Sequence, residues 1–251
     1  MSLILITNDD GVYSEGIKVL AEAMKQISDV AVVAPDRERS AVSHALTMHR
    51  PLKVENIKKN VYAVNGTPTD CVVVAIEKLL TERPAVLVSG INRGANLGDD
   101  IGYSGTVSAA IEGTLFGIPS IAISVMFNDN EKIHYETAAF FAKRITQYVL
   151  KEGLPPDTLL NVNVPNLPRS RIKGVRFTRQ GKRTYENAIH ETYDPWGRKH
   201  FWIGGGTPTW EDRNDTDIVA VMKGYVSITP LHLDMTNYEA LEVLRRQWRD
   251  L

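Results

Sequence analysis

Short apolar runs and amphipathic stretches alternate along the first two thirds of this chain. Leu3 to Thr7 is an apolar run of strand length, which predicts a buried strand. Glu15 to Ile27 carries Ile17, Leu20, Ala21, Met24 and Ile27 at helical spacing, so one face of a helix is apolar. Val30 to Ala34 predicts a second strand, stopped by Pro35. Residues 41 to 64 predict irregular chain or short antiparallel strands. Asp70 to Leu80 predicts a helix capped by Thr69 or Asp70. A strand over Ala85 to Ser89 leads into a glycine-rich loop, residues 90 to 105. A helix follows from Thr106 to Phe116, ended by Gly117 and blocked by Pro119. Ser120 to Val125 reads as a strand and Tyr135 to Leu150 as a long amphipathic helix. The alternation predicts an α/β fold, a mostly parallel sheet with helices on both faces.

The pattern changes after Pro155-Pro156. Leu159 to Val164 predicts one more strand. Turn residues then mix with Tyr185, Tyr193, Trp196, Phe201, Trp202 and Trp210, interrupted by Gly204-Gly205-Gly206. Gly174 to Thr178 and Tyr225 to Thr229 alternate like antiparallel strands or arms, and Asn237 to Trp248 predicts a terminal helix. The expected division is an α/β domain over residues 1–155 and a β-rich extension over 156–251 that packs against another subunit. Aromatics of this kind are enriched in interface cores. A local mini-core under long loops accounts for them equally well.

Composition narrows the function classes. The formal charge is -1 over 251 residues, so no global field attracts nucleic acid, and no stable nucleic-acid partner is expected. The longest apolar runs are strand-sized, too short for a membrane span, and no secretory signal is evident. The lone Cys71 excludes an intramolecular disulfide and fits a reducing, cytoplasmic compartment. It reads as a small buried thiol rather than a nucleophile. Between residues 158 and 185, Arg169, Arg171, Lys173, Arg176, Arg179, Lys182 and Arg183 occur without an Asp or Glu. The stretch reads as a solvated or intersubunit face, or as a docking strip for a polyanion.

The chemistry gathers where predicted strands end. Asp9 and Asp10 follow the first strand, and adjacent carboxylates repel unless a positive charge sits beside them. A hard divalent cation satisfies them. An ordinary solvated Asn-Asp-Asp-Gly turn is the other reading. Ser40 lies in the loop after the second strand. The third loop runs from Gly90 to Gly105 and ends in Ser104-Gly105-Thr106 at a helix start. Free N–H groups and the helix dipole favour phosphate there. No lysine follows the glycine as in a Walker A loop, and G-x-G-x-x-G is absent. In a parallel sheet these loops share one edge, where ligands bind. Their donors are oxygens, suited to magnesium, manganese or calcium. His44 and His49 have no spacing that ties them to Asp9.

Several motifs together resemble the SurE (survival protein E) family: Asn8-Asp9-Asp10-Gly11, Ala34-Pro35-Asp36 with Arg39-Ser40-Ala41, Gly66-Thr67-Pro68-Thr69-Asp70-Cys71, Ser89-Gly90-Ile91-Asn92-Arg93-Gly94 with Asn96, and Tyr103-Ser104-Gly105-Thr106. Asn161-Val162-Asn163-Val164-Pro165 and Gly224 to Pro230 extend the likeness over nearly the whole chain. The resemblance implies a Rossmann-like three-layer sandwich with a C-terminal arm exchanged between subunits of a homodimer or homotetramer. It implies a cytoplasmic phosphomonoesterase that hydrolyses nucleoside 5′- and 3′-monophosphates, with short polyphosphate as a further substrate of family members. One divalent metal ion per subunit, Mg2+ or Mn2+, would be held by Asp9, Asp10, Ser40 and Asn92. Asp9, Asp10 and Asn96 would be catalytic, and Ser104, Gly105 and Thr106 would hold the phosphate. A non-catalytic nucleotide or polyphosphate sensor is the rival reading. Paired carboxylates beside an anion pocket argue against it.

Overall fold

The first strand is buried at every residue, with Ile4 and Ile6 in one core and Leu5 in another. That is the expected state of a parallel strand covered on both faces. The computed structural model describes residues 2–126, 131–186, 188–204, 206–211 and 213–249, so Gly205 of the triple glycine lies outside the described residues.

The elements run β1 (Leu3–Thr7), α1 (Glu15–Met24), β2 (Asp29–Pro35), β3 (Val54–Lys58), β4 (Val61–Val64), α2 (Pro68–Val74), β5 (Val86–Arg93) and α3 (Gly105–Leu115). Then come β6 (Ser120–Met126), α4 (Tyr135–Glu152), β7 (Thr158–Pro165), β8 (Val175–Phe177), β9 (Arg183–Glu186) and β10 (Ile189–Tyr193). The last are β11 (Lys199–Ile203), β12 (Thr207–Trp210), α5 (Asp217–Met222), β13 (Val226–His232) and α6 (Tyr238–Gln247).

Nine strands form one sheet in the order β3-β4-β2-β1-β5-β6-β7-β13-β8. The run from β4 to β7 is parallel throughout, as the alternation predicts. Helices α1 and α4 cover the face of Ile4 and Ile6, and α2 and α3 cover the face of Leu5. On α1 the fully buried Ile17, Leu20 and Met24 each contribute roughly 1.5–3 kcal/mol of apolar burial. The chain leaves β1 toward β2 on one side and returns to β5 on the other. This reversal of strand order opens a crevice at the carboxyl ends of β1 and β5.

Four elements differ from expectation. Helix α2 is capped by Thr67, not by Thr69 or Asp70. Thr67 Oγ1 accepts from Asp70 N at 3.0 Å and Asp70 Oδ2 accepts from Thr67 N at 2.8 Å. Pro68 at the first helical position suits that early start, and the helix widens into one π-turn over Ala75–Leu79. Strand β5 continues past Ser89 to Arg93 after a register break, with Asn92 opposite Ser124. Gly90 makes this possible, because a Cβ there would lie 2.3 Å from the Ile123 carbonyl oxygen. Within the expected glycine loop, Gly98–Tyr103 is 3-10 helix. Finally, β8 pairs parallel with β13, not antiparallel. The whole arm and α5 intervene and form the long crossover that a parallel pair requires.

The C-terminal part joins the sheet through β7, β13 and β8 and also projects from it. Strands β10 and β11 form a hairpin exposed at every residue. Helix α6 has no buried residue. The basic stretch is largely engaged within the chain. Arg176 stacks on Tyr225 at 3.7 Å, Arg169 on Phe140 at 4.5 Å, Arg179 pairs with Glu211 and Asp215, and Arg183 with Asp100.

Asp217 joins the two parts of the chain. Its buried carboxylate accepts from Gly98 N and Gly181 N at 2.9 Å each and from Ile218 N at 2.8 Å. Asp217→Ala should therefore lower unfolding free energy by about 3 kcal/mol, through orphaned buried N–H groups. Urea denaturation followed by circular dichroism measures it.

Candidate active site

The turn after β1 is built from side chain to backbone. Asn8 Nδ2 donates to Gly11 O at 3.0 Å and to Ser14 Oγ at 2.9 Å. Gly11 turns the chain at φ 95°, a conformation that favours glycine. The turn points Asp9 inward and leaves Asp10 at the edge of the crevice.

Asp9 is only 4% exposed and sits against the first turn of α3. Thr106 N donates to Asp9 Oδ2 at 3.2 Å, and Thr106 Oγ1 to Oδ1 at 2.5 Å. Gly105 permits the approach, since a Cβ on it would lie 2.9 Å from Asp9 Cβ. Both Thr106 donors, at the helix start expected to hold phosphate, face the Asp9 carboxylate. Burial pushes the Asp9 carboxyl above its ordinary range despite these bonds. Asp10 is pushed up to about 6, first by burial and next by the charge of Asp9.

Asp10 Oδ2 accepts from Arg93 N at 3.1 Å, which brings the end of β5 to the end of β1. A cavity of about 720 Å3 opens beside it, lined by Asp10, Glu38, Ser40, Arg93, Lys132 and Tyr135 among others. Ser40 lines this cavity together with Asp10. Its hydroxyl donates to Glu38 Oε1 at 2.7 Å, which leaves the oxygen lone pairs open. The Ser40 loop is drawn in by Arg39 N, which donates to Asp9 O at 2.8 Å. Asn92 Nδ2 donates to Gly94 O at 2.8 Å. Asn92 does not line the cavity, whereas its neighbour Arg93 does.

The remaining expected residues organise the loop between β5 and α3. Ser104 caps α3, its Oγ accepting from Val107 N at 3.1 Å. Asn96 N donates to Asn163 Oδ1 at 2.8 Å, and Asn96 O accepts from the side chains of Asn161 and Asn163 at 2.9 Å each. Asn96 Nδ2 donates to Ser124 Oγ at 2.8 Å. Asn161 and Asn163 share one face of β7 because strand side chains alternate. Cys71 is fully buried, and burial pushes its thiol well above the ordinary value, in keeping with a packed thiol. His44 pairs with the buried Glu112 at 2.7 Å.

The donor set fits a hard cation. Two carboxylates, the Ser40 hydroxyl and the Asn92 amide come from three segments, all as oxygen donors. Among the described residues no cluster of three or more His, Cys, Asp or Glu is placed to hold a metal, and this includes the surroundings of Asp9 and Asp10. The buried Asn8 Oδ1, next to Asp9, accepts no hydrogen bond from the protein. Glu38, Arg93 and Lys132 escaped sequence reasoning. Glu38 and Arg93 adjoin flagged residues, but Lys132 carries no motif.

The profile described as Survival protein SurE matches residues 4–187. The chain belongs to the SurE family. The protein named 5′-nucleotidase SurE from Geobacter sulfurreducens is 55% identical over 242 residues, 96% of this chain and 92% of that one. Its namesake from Geobacter metallireducens is 56% identical over 96% of both chains. The crystal structure of SurE protein from Aquifex aeolicus superposes with a TM-score of 0.86 at 46% identity, covering 97% of this chain and 98% of that one. The mixed nine-stranded sheet and the C-terminal extra strands are thus a SurE-family architecture.

Two outcomes test the packing of the acids. Gly105→Ala should cost about 1–3 kcal/mol in chemical denaturation, because the added methyl overpacks against Asp9. Asp10→Asn should raise the melting temperature measured in chelator at neutral pH. The folded-state pKa lies above the unfolded value, so the charged form weakens the fold as pH rises through about 6. The gain should therefore vanish in acid below both values.

Proposed function

We propose that this SurE-family chain is a metal-dependent 5′-nucleotidase. It hydrolyses nucleoside 5′- and 3′-monophosphates, and short polyphosphate, to release phosphate. The observation that carries the reading is the placement of adjacent carboxylates in the crevice between β1 and β5, beside the first turn of α3. Relatives at 51–56% identity over nearly the full chain bear the name 5′-nucleotidase SurE, in agreement with it.

In this reading Asp9, Asp10, Ser40 and Asn92 hold one Mg2+ or Mn2+. The cation would polarise a phosphoryl oxygen and acidify a water. Thr106 fixes Asp9 from two sides, so the carboxylate keeps one orientation. Ser104, with its hydroxyl hydrogen still available, and the N–H of Gly105 take phosphate oxygens at the helix start. Asn96 holds the loop and contacts the same phosphate. The attacking group is water, in line with the leaving oxygen. Asp9 is a poor nucleophile, because both its oxygens already accept hydrogen bonds from Thr106.

The chain acts as a homodimer or homotetramer in the cytoplasm. The exposed Trp196, Phe201 and Trp202 on the β10–β11 hairpin support assembly, since bare aromatics of this size mark contact surfaces. Among the described residues no helix is long and apolar enough to cross a membrane.

Phosphate release from adenosine monophosphate, with Mg2+ or Mn2+ and then with chelator, tests the reading. Asp9→Asn and Asp10→Asn should each cut turnover by about a thousandfold or more while the protein stays folded. Absence of turnover by the unmodified chain with either ion would instead favour a sensor. Hydrolysis of a substrate chiral at phosphorus should invert its configuration, as a single displacement by water requires.

A further inference from the structure

The loop from β5 to α3 is tied at both ends to the site acids, through Arg93 N on Asp10 and Thr106 on Asp9. Its outermost residues are tied to strand β9, in the C-terminal part. Asp99 Oδ2 accepts from Arg183 N at 2.9 Å, and Asp100 Oδ2 accepts from the Arg183 guanidinium at 2.6 Å. Tyr185 Oη donates to the same Asp100 carboxylate, 2.9 and 3.1 Å from its two oxygens. The Arg183 guanidinium lies over the Tyr185 ring, 4.9 Å from its centroid. Next to these contacts, Gln180 Nε2 donates to Gly98 O at 3.0 Å.

This differs from an ordinary surface ion pair. Both side chains of the Arg183–Asp100 pair are 22% exposed, so screening by water is reduced. The bond is short and charge-assisted, a strong type. It also falls where the loop needs it. Gly94, Gly98 and Gly102 loosen the chain between β5 and α3, which is pinned at Asn96 and Gly98 and, at Asp99 and Asp100, by the clasp. The segment just after the clasp carries Tyr103 and Ser104, and Tyr103 O accepts from Ser43 N at 3.3 Å. A shift at Asp100 is therefore passed to Ser104 at the helix start.

We propose that Arg183 and Tyr185 are positioning residues for substrate binding. Acting through Asp100, they hold the glycine-rich loop so that its Ser104 end meets the phosphate. The proposal rests on the phosphomonoesterase reading above. Asp9 and Asp10 are set by β1 and by their own bonds, so cation binding should not depend on the clasp.

Arg183→Ala should raise KM for adenosine monophosphate about tenfold while kcat and Mn2+ affinity stay within about twofold. Amide hydrogen exchange over residues 98–104 should speed up about tenfold, with the core strands unchanged. Arg183→Lys keeps a charge-assisted bond to Asp100 and should restore most of the KM. Tyr185→Phe removes one exposed hydroxyl, should raise KM about twofold to threefold, and stands in if Arg183→Ala fails to fold. Unchanged KM and exchange in Arg183→Ala and Tyr185→Phe would overturn the proposal. So would a joint loss of kcat, Mn2+ affinity and melting temperature, or a lysine variant as impaired as alanine. Absence of turnover in the unmodified protein would refute the enzymatic reading, and the exchange comparison alone would then decide whether the clasp orders the loop.

Discussion

A carboxylate buried against the first turn of a helix organises this molecule. Asp9 has almost no contact with solvent, so its charge must be met by fixed donors. Thr106 supplies two of them, and Gly105 supplies the absence of a side chain that lets α3 come close. That single contact joins β1 to α3 across most of a hundred residues. It also places Asp10, the next residue, at the crevice edge, where Arg93 N at the end of β5 donates to it.

Once the acids are seated, polar bonds hold the surrounding loops beside buried apolar anchors such as Ile91 and Leu97. Asn8 closes the turn, Arg39 N draws in the Ser40 loop, Arg93 N meets Asp10, and Asn161 with Asn163 grips Asn96. Directional bonds suit this task. Apolar contacts would secure the loops without setting the angles of donors and ligands. The sheet and its two helical layers supply the rigid frame, and the crevice loops are stitched onto it.

The elements with a strong period were legible from the chain alone: β1, β2, β6, α1, α4 and the strand at Leu159 to Val164. That Asp9 and Asp10 follow β1 and that a helix starts near Thr106 was also legible, because a strand end with paired acids and a glycine-led helix start are local features. What escaped was non-local. The extension of β5 to Arg93 depends on Gly90 facing the Ile123 carbonyl, an atom thirty-odd residues away. The parallel pairing of β8 with β13 depends on where the arm leaves and re-enters the sheet. Thr106 read as a phosphate contact because helix starts attract anions. Nothing local says that the anion in its reach is Asp9.

The sequence by itself determined the fold class, the strands and helices with clear periodicity, and the residue types that meet at the carboxyl edge of the sheet. These rest on short-range steric and hydrophobic preferences written in neighbouring residues. The tertiary structure alone decided which anion occupies the start of α3, that Ser40 reaches the Asp10 cavity, and that Arg183 and Tyr185 hold the glycine-rich loop from β9. Those are pairings between groups far apart in the chain, and backbone crossovers, not local preference, select them.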